Sequence, residues 1–153
     1  YIRAGLEKAR NIGRFEKISE NPLVIFDGAH NENGMRSLKN SLNEYFQDKK
    51  FRFIMAFMHD KEIDSTIDVL KDFCDNSLFY AVEIANNDRC EKSDILCQKL
   101  QKSGYKSHNA KTLKNALELA LSADAITVIC GSLYLYEEFF GIFPDGIDKI
   151  RCK

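Results

Sequence analysis

A short apolar run that stops at an acid constrains this chain more than any other feature. Behind Pro22, Leu23 to Phe26 form a partly β-branched stretch that reads as a strand buried on both faces. Asp27-Gly28-Ala29-His30-Asn31 follow, and from Asn31 to Gln47 the residues Met35, Leu38, Leu42, Tyr45 and Phe46 recur at spacings of three, four and seven. That stripe predicts a helix packed on a sheet. In open parallel sheets, ligands gather where strands end in loops and helix N-termini, so a carboxylate, an imidazole and an amide at this point are well placed for chemistry.

The same alternation recurs along the chain. Phe51 to Met58 predicts a second buried strand, ending in His59-Asp60-Lys61, and Ile63, Ile67, Leu70 and Phe73 follow at helical spacing. Leu78 to Ile84 predicts a third strand before Ala85-Asn86-Asn87-Asp88-Arg89. Ile95, Leu96 and Leu100 mark the next helix, which Ser103-Gly104 closes. Tyr105 to His108 is a short strand, and Lys111-Thr112 leads to a helix through Leu113, Ala116, Leu117 and Ala120. Ala125 to Cys130 is the last buried strand, and it ends in Gly131-Ser132. Tyr134, Tyr136, Phe139 and Phe140 form a terminal amphipathic segment whose aromatic stripe predicts packing. Gly13 to Ile18 is expected as an edge strand, and residues 1–12 as a linker or a short helix leading in. The fold class is therefore α/β, a mainly parallel Rossmann-like sheet with helices on both faces, forming a single domain over 13–153.

Composition excludes several function classes. With 22 basic and 23 acidic residues, the net charge of -1 supplies no field that would draw the chain to nucleic acid or a membrane surface. No apolar run approaches the ~18 residues of a spanning helix, and no signal-peptide core is visible, so a cytoplasmic monomer is expected. The five cysteines are odd in number and contain no Cys-x-x-Cys pair, which fits reduced thiols. Cys130 reads as a small core residue; Cys90 has no histidine close in sequence to activate it. None of the eight glycines falls in a Gly-x-Gly-x-x-Gly or Gly-x-x-x-x-Gly-Lys-Ser/Thr loop, so the chain has no phosphate cradle of its own. Single side chains remain available to a nucleotide held elsewhere. Beginning at Tyr1, the chain reads as a domain excised from a longer protein.

Four elements in order, Gly13-Arg14-Phe15-Glu16, Leu23-Val24-Ile25-Phe26-Asp27-Gly28-Ala29-His30-Asn31, Met58-His59-Asp60-Lys61-Glu62 and Gly131-Ser132-Leu133-Tyr134-Leu135, resemble the C-terminal domain of folylpolyglutamate synthase/dihydrofolate synthase, a branch of the Mur ligase superfamily. The sequence departs from that pattern at Asn11-Ile12, where Trp-Pro is usual, at Glu32, where proline commonly follows, and at Asn87-Asp88-Arg89-Cys90, where Pro-Arg-Ala is common. These changes concern loop rigidity. The resemblance implies an ATP-dependent ligase that activates a folate or dihydropteroate carboxylate as an acyl phosphate, which the amine of L-glutamate attacks. It implies that ATP and Mg2+ are held mainly by an N-terminal ATPase domain absent from this chain, with no metal ligand here and no ligation by the isolated domain. It also implies that Arg14 and Asp27 contact the nucleotide, that His30 and Ser132 hold the glutamate, and that Gly28, Asn31 and Gly131 shape the loops.

Plainer readings stand beside these. Asp27 could be a turn acid, His30 a loop histidine satisfied by backbone, and His59-Asp60-Lys61 a solvated loop; His108 has no functional reading. The whole chain could be a non-catalytic α/β binding module, or a domain of another Mur-type ligase. Folylpolyglutamate and dihydrofolate synthesis are not distinguished, because pterin contacts are expected outside this domain.

Overall fold

The computed structural model describes residues 12–122 and 124–147. The expected linker or helix over residues 1–12 falls, except for Ile12, outside the described residues, as does Cys152. Alternating strands and helices run β1 (Glu16–Glu20), β2 (Leu23–Phe26), α1 (Glu32–Tyr45), β3 (Phe51–Met55), α2 (Ile63–Asp68), β4 (Ser77–Val82), α3 (Ser93–Lys102), β5 (Ser107–Lys111), α4 (Leu113–Ala120), β6 (Ile126–Cys130) and α5 (Tyr134–Ile142). One sheet orders the strands β1-β2-β6-β3-β4-β5. β1 pairs antiparallel to β2 at one edge, and the other pairings are parallel. The fold is thus α/β with a mainly parallel sheet.

Side-chain alternation divides the strands between two cores. On one face Ile25, Phe53, Phe79 and Val128 meet Met35, Leu38 and Leu42 of α1, Ile63 and Ile67 of α2, and Leu96 and Leu100 of α3. On the other, Val24, Phe26, Ile54, Tyr80 and Ile129 meet Leu113, Ala116 and Leu117 of α4 and Leu135 and Phe139 of α5. Each fully buried large side chain contributes roughly 1.5–3 kcal/mol, which outweighs the modest helix propensity of these short segments. Among the described residues, no helix is long and apolar enough to cross a membrane.

The edge strand expected over Gly13 to Ile18 runs Glu16–Glu20, the strand expected over Tyr105 to His108 runs Ser107–Lys111, and two further elements differ in form. The strand predicted over Phe51 to Met58 leaves the sheet after Met55: the Ala56 N–H still reaches Cys130 O at 3.4 Å, but Phe57 O accepts instead from Glu91 N–H at 2.8 Å. The helix expected through Ile63, Ile67, Leu70 and Phe73 is α-helical only to Asp68 and tightens into a 3-10 turn at Lys71–Phe73. Both forms keep residues three apart on one face, so the apolar stripe survives the change of pitch. The strand register aligns the carboxyl ends: Phe26 lies opposite Ile129, and Met55 opposite Cys130 and Ala81. The loops that start at Asp27, Ala56 and Gly131 therefore leave the sheet at one level.

Candidate functional site

These loops are sewn to one another by backbone hydrogen bonds. Asp27 N–H donates to Ile129 O at 2.9 Å, Gly28 N–H to Gly13 O at 2.7 Å, and Gly131 N–H to Ala29 O at 2.8 Å. The loop after β3 is tied to the loop after β4, where His59 N–H donates to Arg89 O at 2.8 Å. His59 Nδ1 lies 2.7 Å from the same carbonyl, so that nitrogen carries the proton.

Asp27 sits at the floor of this arrangement, 9% exposed. Its Oδ1 accepts from Ala29 N–H at 2.8 Å and its Oδ2 from Phe15 N–H at 3.1 Å. Burial pushes the carboxyl above the usual aspartate range; the two amides and the nearby Arg14 guanidinium oppose that shift without cancelling it. Arg14 itself is exposed. His30 Nδ1 faces Gly28 O at 2.9 Å, which fixes the proton there and leaves Nε2 for the cleft. Asn31 Oδ1 accepts from Gly34 N–H at 2.8 Å at the start of α1.

The serine loop is built differently. Gly131 has φ +104, and a Cβ there would lie 2.1 Å from Ala56 O, so the chain passes too close to β3 for any side chain. Ser132 is 6% exposed; its Oγ accepts from Tyr134 N–H at 3.2 Å at the start of α5, which leaves the hydroxyl proton to donate.

Two clefts open above these loops. One, of about 330 Å³, is lined by Arg14, Gly28, His30, Asn31 and Leu133 among others. Its neighbour, of about 200 Å³, is lined by His30, Lys61, Arg89, Ser132 and Tyr134, with Leu133 again present. His30 and Leu133 form the wall between them. The structure thus brings Arg14, Gly28, His30 and Asn31 to one cleft, and His30, Gly131 and Ser132 to the other, while Asp27 lines neither. A larger depression of about 690 Å³ lies at the opposite edge of the sheet, lined by Lys49 and Lys50 together with Asp48 and Asp124. Its mixed charges converge on no single group.

Lys61, expected in a solvated loop, and Arg89, which the sequence reading gave no role, both line the site. Neither makes an ion pair among the described residues. The usable signal was positional, since both follow parallel strands at the carboxyl edge. Tyr134 corrects a second expectation: at 46% exposed it faces the cleft rather than packing. Tyr136, Phe139 and Phe140 do pack, with ring centroids 4.8 to 5.1 Å apart. Cys130 is fully buried, with its thiol pushed up by burial. Among the described residues no cluster of three His, Cys, Asp or Glu side chains could hold a metal ion.

The family model "Mur ligase, glutamate ligase domain" matches residues 13–133. The folylpolyglutamate synthase of Lacticaseibacillus casei is 32% identical over 140 residues, covering 88% of this chain and 30% of that protein. The dihydrofolate synthase/folylpolyglutamate synthase of Bacillus subtilis is 27% identical over 140 residues, covering 90% of this chain and 31% of that protein. Among solved structures, the bifunctional enzyme of Yersinia pestis superposes with a TM-score of 0.75 at 27% identity, covering 93% of this chain and 33% of that one. A bifunctional folylpolyglutamate synthase/dihydrofolate synthase with Mn, AMPPNP and L-glutamate bound gives 0.73 at 29% identity, covering 93% of this chain and 34% of that one. The chain therefore spans about a third of the length of the relatives it matches.

Proposed function

Because the chain belongs to the Mur ligase glutamate ligase domain family, we propose that it is the glutamate-side domain of an ATP-dependent ligase that adds L-glutamate to a folate or dihydropteroate carboxylate. The observation that carries this reading is the pair of clefts sharing the His30–Leu133 wall, one with the exposed Arg14 guanidinium, the other with a hydroxyl and two cations, Lys61 and Arg89, that make no ion pair among the described residues. A guanidinium only donates hydrogen bonds, and it suits phosphate or sugar oxygens. L-glutamate brings two carboxylates, and Lys61, Arg89, Ser132 and His30 converge on a space of its size with no carboxylate among the described residues that line it.

Arg14 and Asp27 then serve the nucleotide side. Arg14 is the direct donor; Asp27, which lines neither cleft, serves that side by fixing the Arg14 loop through the Phe15 amide. His30 and Ser132, joined by Lys61 and Arg89, hold glutamate so that its amine faces the activated carbonyl. Gly28, Asn31 and Gly131 set the loop shapes. ATP supplies the phosphoryl group that activates the folate carboxylate, with Mg2+ and the phosphate cradle contributed by the part of the protein outside this stretch.

In the full-length protein, Arg14→Ala should raise the KM for ATP, and Lys61→Ala or Arg89→Ala the KM for glutamate, each by roughly ten- to a hundredfold, the value of a charge-assisted hydrogen bond. The 153-residue chain alone should show no glutamate-dependent ADP release. If the cation variants moved only the ATP requirement, the assignment of the two clefts would be wrong.

A further inference from the structure

Glu16 opens β1 with its two carboxylate oxygens on different parts of the molecule. Oε2 accepts from Gly13 N–H at 2.9 Å, and Oε1 accepts from the Tyr136 hydroxyl at 3.1 Å. Gly13 belongs to the loop that carries Arg14. Tyr136 stands in the first turn of α5, just beyond Ser132. Its ring is held edge-on to Phe26 at 5.1 Å and against Phe140 at 4.8 Å, so the hydroxyl has a fixed position.

The loop so held is a strained one. Gly13 has φ 75, and Phe15 has φ 42, a left-handed conformation that a phenylalanine adopts only when its surroundings impose it. Three ties impose it: Glu16 on the Gly13 amide, Asp27 on the Phe15 amide, and the Gly28 amide on the Gly13 carbonyl. Arg14 lies between the tied residues with its side chain exposed. The Leu133 side chain fills the notch left by two glycines, since a Cβ on Gly13 or Gly28 would come within 2.8 or 2.4 Å of its Cδ2. The loop bearing Arg14 and the turn bearing Ser132 therefore share both a packing contact and a carboxylate bridge.

We propose that Glu16 is a positioning residue that clamps the Arg14 loop to helix α5 and so keeps the two clefts in register across their common wall. The proposal rests on the functional reading above for its kinetic consequences and on the structure alone for the clamp. The Leu133 contact already couples the loop to the segment before α5; the carboxylate adds a directional tie through Tyr136, so that a displacement of either is felt more strongly at the other.

The test uses the full-length protein with Glu16→Ala, Glu16→Gln and Tyr136→Phe, and two readouts. In steady-state kinetics, Glu16→Ala should raise the KM values for both ATP and glutamate by about tenfold with a smaller change in kcat. Glu16→Gln, which keeps the shape and one acceptor, should restore part of the loss. Tyr136→Phe should raise both KM values, by less than Glu16→Ala because the Gly13 tie remains, and add nothing in the Glu16→Ala background, because both remove one bridge. In amide hydrogen exchange followed by mass spectrometry, peptides covering residues 12–16 and 131–137 should both exchange faster in Glu16→Ala and in Tyr136→Phe. Multiplicative kinetic effects, or faster exchange confined to 12–16, would overturn the clamp. Should the parent show no ATP- and glutamate-dependent turnover, the functional reading fails and the exchange result decides the clamp by itself. Should Glu16→Ala not fold, Glu16→Gln and Tyr136→Phe carry the same comparison.

Discussion

The loops that follow β2 and β6 leave neighbouring parallel strands at the same level, yet they are held by opposite means. The Asp27 loop is fixed by charge: a buried carboxylate gathers two backbone amides, one from its own loop and one from the loop before β1. The Ser132 loop is fixed by contact: Gly131 runs against the Ala56 carbonyl with no room for a Cβ, and a hydroxyl receives the Tyr134 amide of α5. A loop fixed by charge responds to pH and to isosteric substitution, whereas one fixed by contact responds to volume. Placing both beside the same clefts lets the site combine a polar floor with an unyielding wall.

The steric half is broken most severely by Gly131→Ala. A Cβ at 2.1 Å from a backbone oxygen cannot be relieved by a rotamer change, and φ +104 adds backbone strain, so we expect a loss of more than about 3 kcal/mol. Urea unfolding measures it; a loss under 1 kcal/mol, as an order-of-magnitude bound, would show that β3 and β6 can part here.

The polar half is broken by Asp27→Asn, which keeps the shape but turns an amide donor toward either Phe15 or Ala29 N–H. The expected cost is about 1–3 kcal/mol, that of a buried unsatisfied donor. This variant also tests the sign of the electrostatics. The Asp27 carboxyl is raised above 3.8 in the folded protein, so its protonated form favours folding below that value, and the benefit fades as pH rises through the folded pKa. The stability gap between the parent and Asp27→Asn should therefore narrow as pH increases from about 3.8 upward. A gap that widened would mean that the two amides and Arg14 outweigh burial.

Gly28→Ala sharpens the contrast between the glycines. Its Cβ would meet Leu133 Cδ2 at 2.4 Å and Cγ at 2.7 Å, with Gly13 O at 3.3 Å, but the main clash is with a side chain that is 53% exposed, so a rotamer change of Leu133 can relieve most of it. The expected stability cost is only about 1 kcal/mol, but the wall between the clefts would shift. Thermal unfolding of Gly28→Ala and Gly131→Ala side by side checks that backbone contacts cost more than side-chain contacts. Ser132→Ala has a similarly small stability effect, about 1 kcal/mol for a lost acceptor at the start of α5. Any larger glutamate defect in the full-length protein then reports ligand contact rather than folding.

The apolar periodicities of Leu23–Phe26, Met35–Leu42 and Ile126–Cys130 determined, by themselves, the strands, the helix and the α/β class, because burial of alternate or every third and fourth residue is a local property of the chain. The ordered elements around Asp27 and Ser132 likewise marked the site region. The sequence could not decide that β6 lies between β2 and β3, and that order is what brings His30, Ser132 and Lys61 to one cleft. Nor could it show that both oxygens of Asp27 are occupied by amides, one of them twelve residues away in sequence, or that Tyr134 faces the cleft while Tyr136 turns inward to Glu16. Each of these depends on loops meeting across the sheet, where contacts between distant residues override what neighbouring residues prefer.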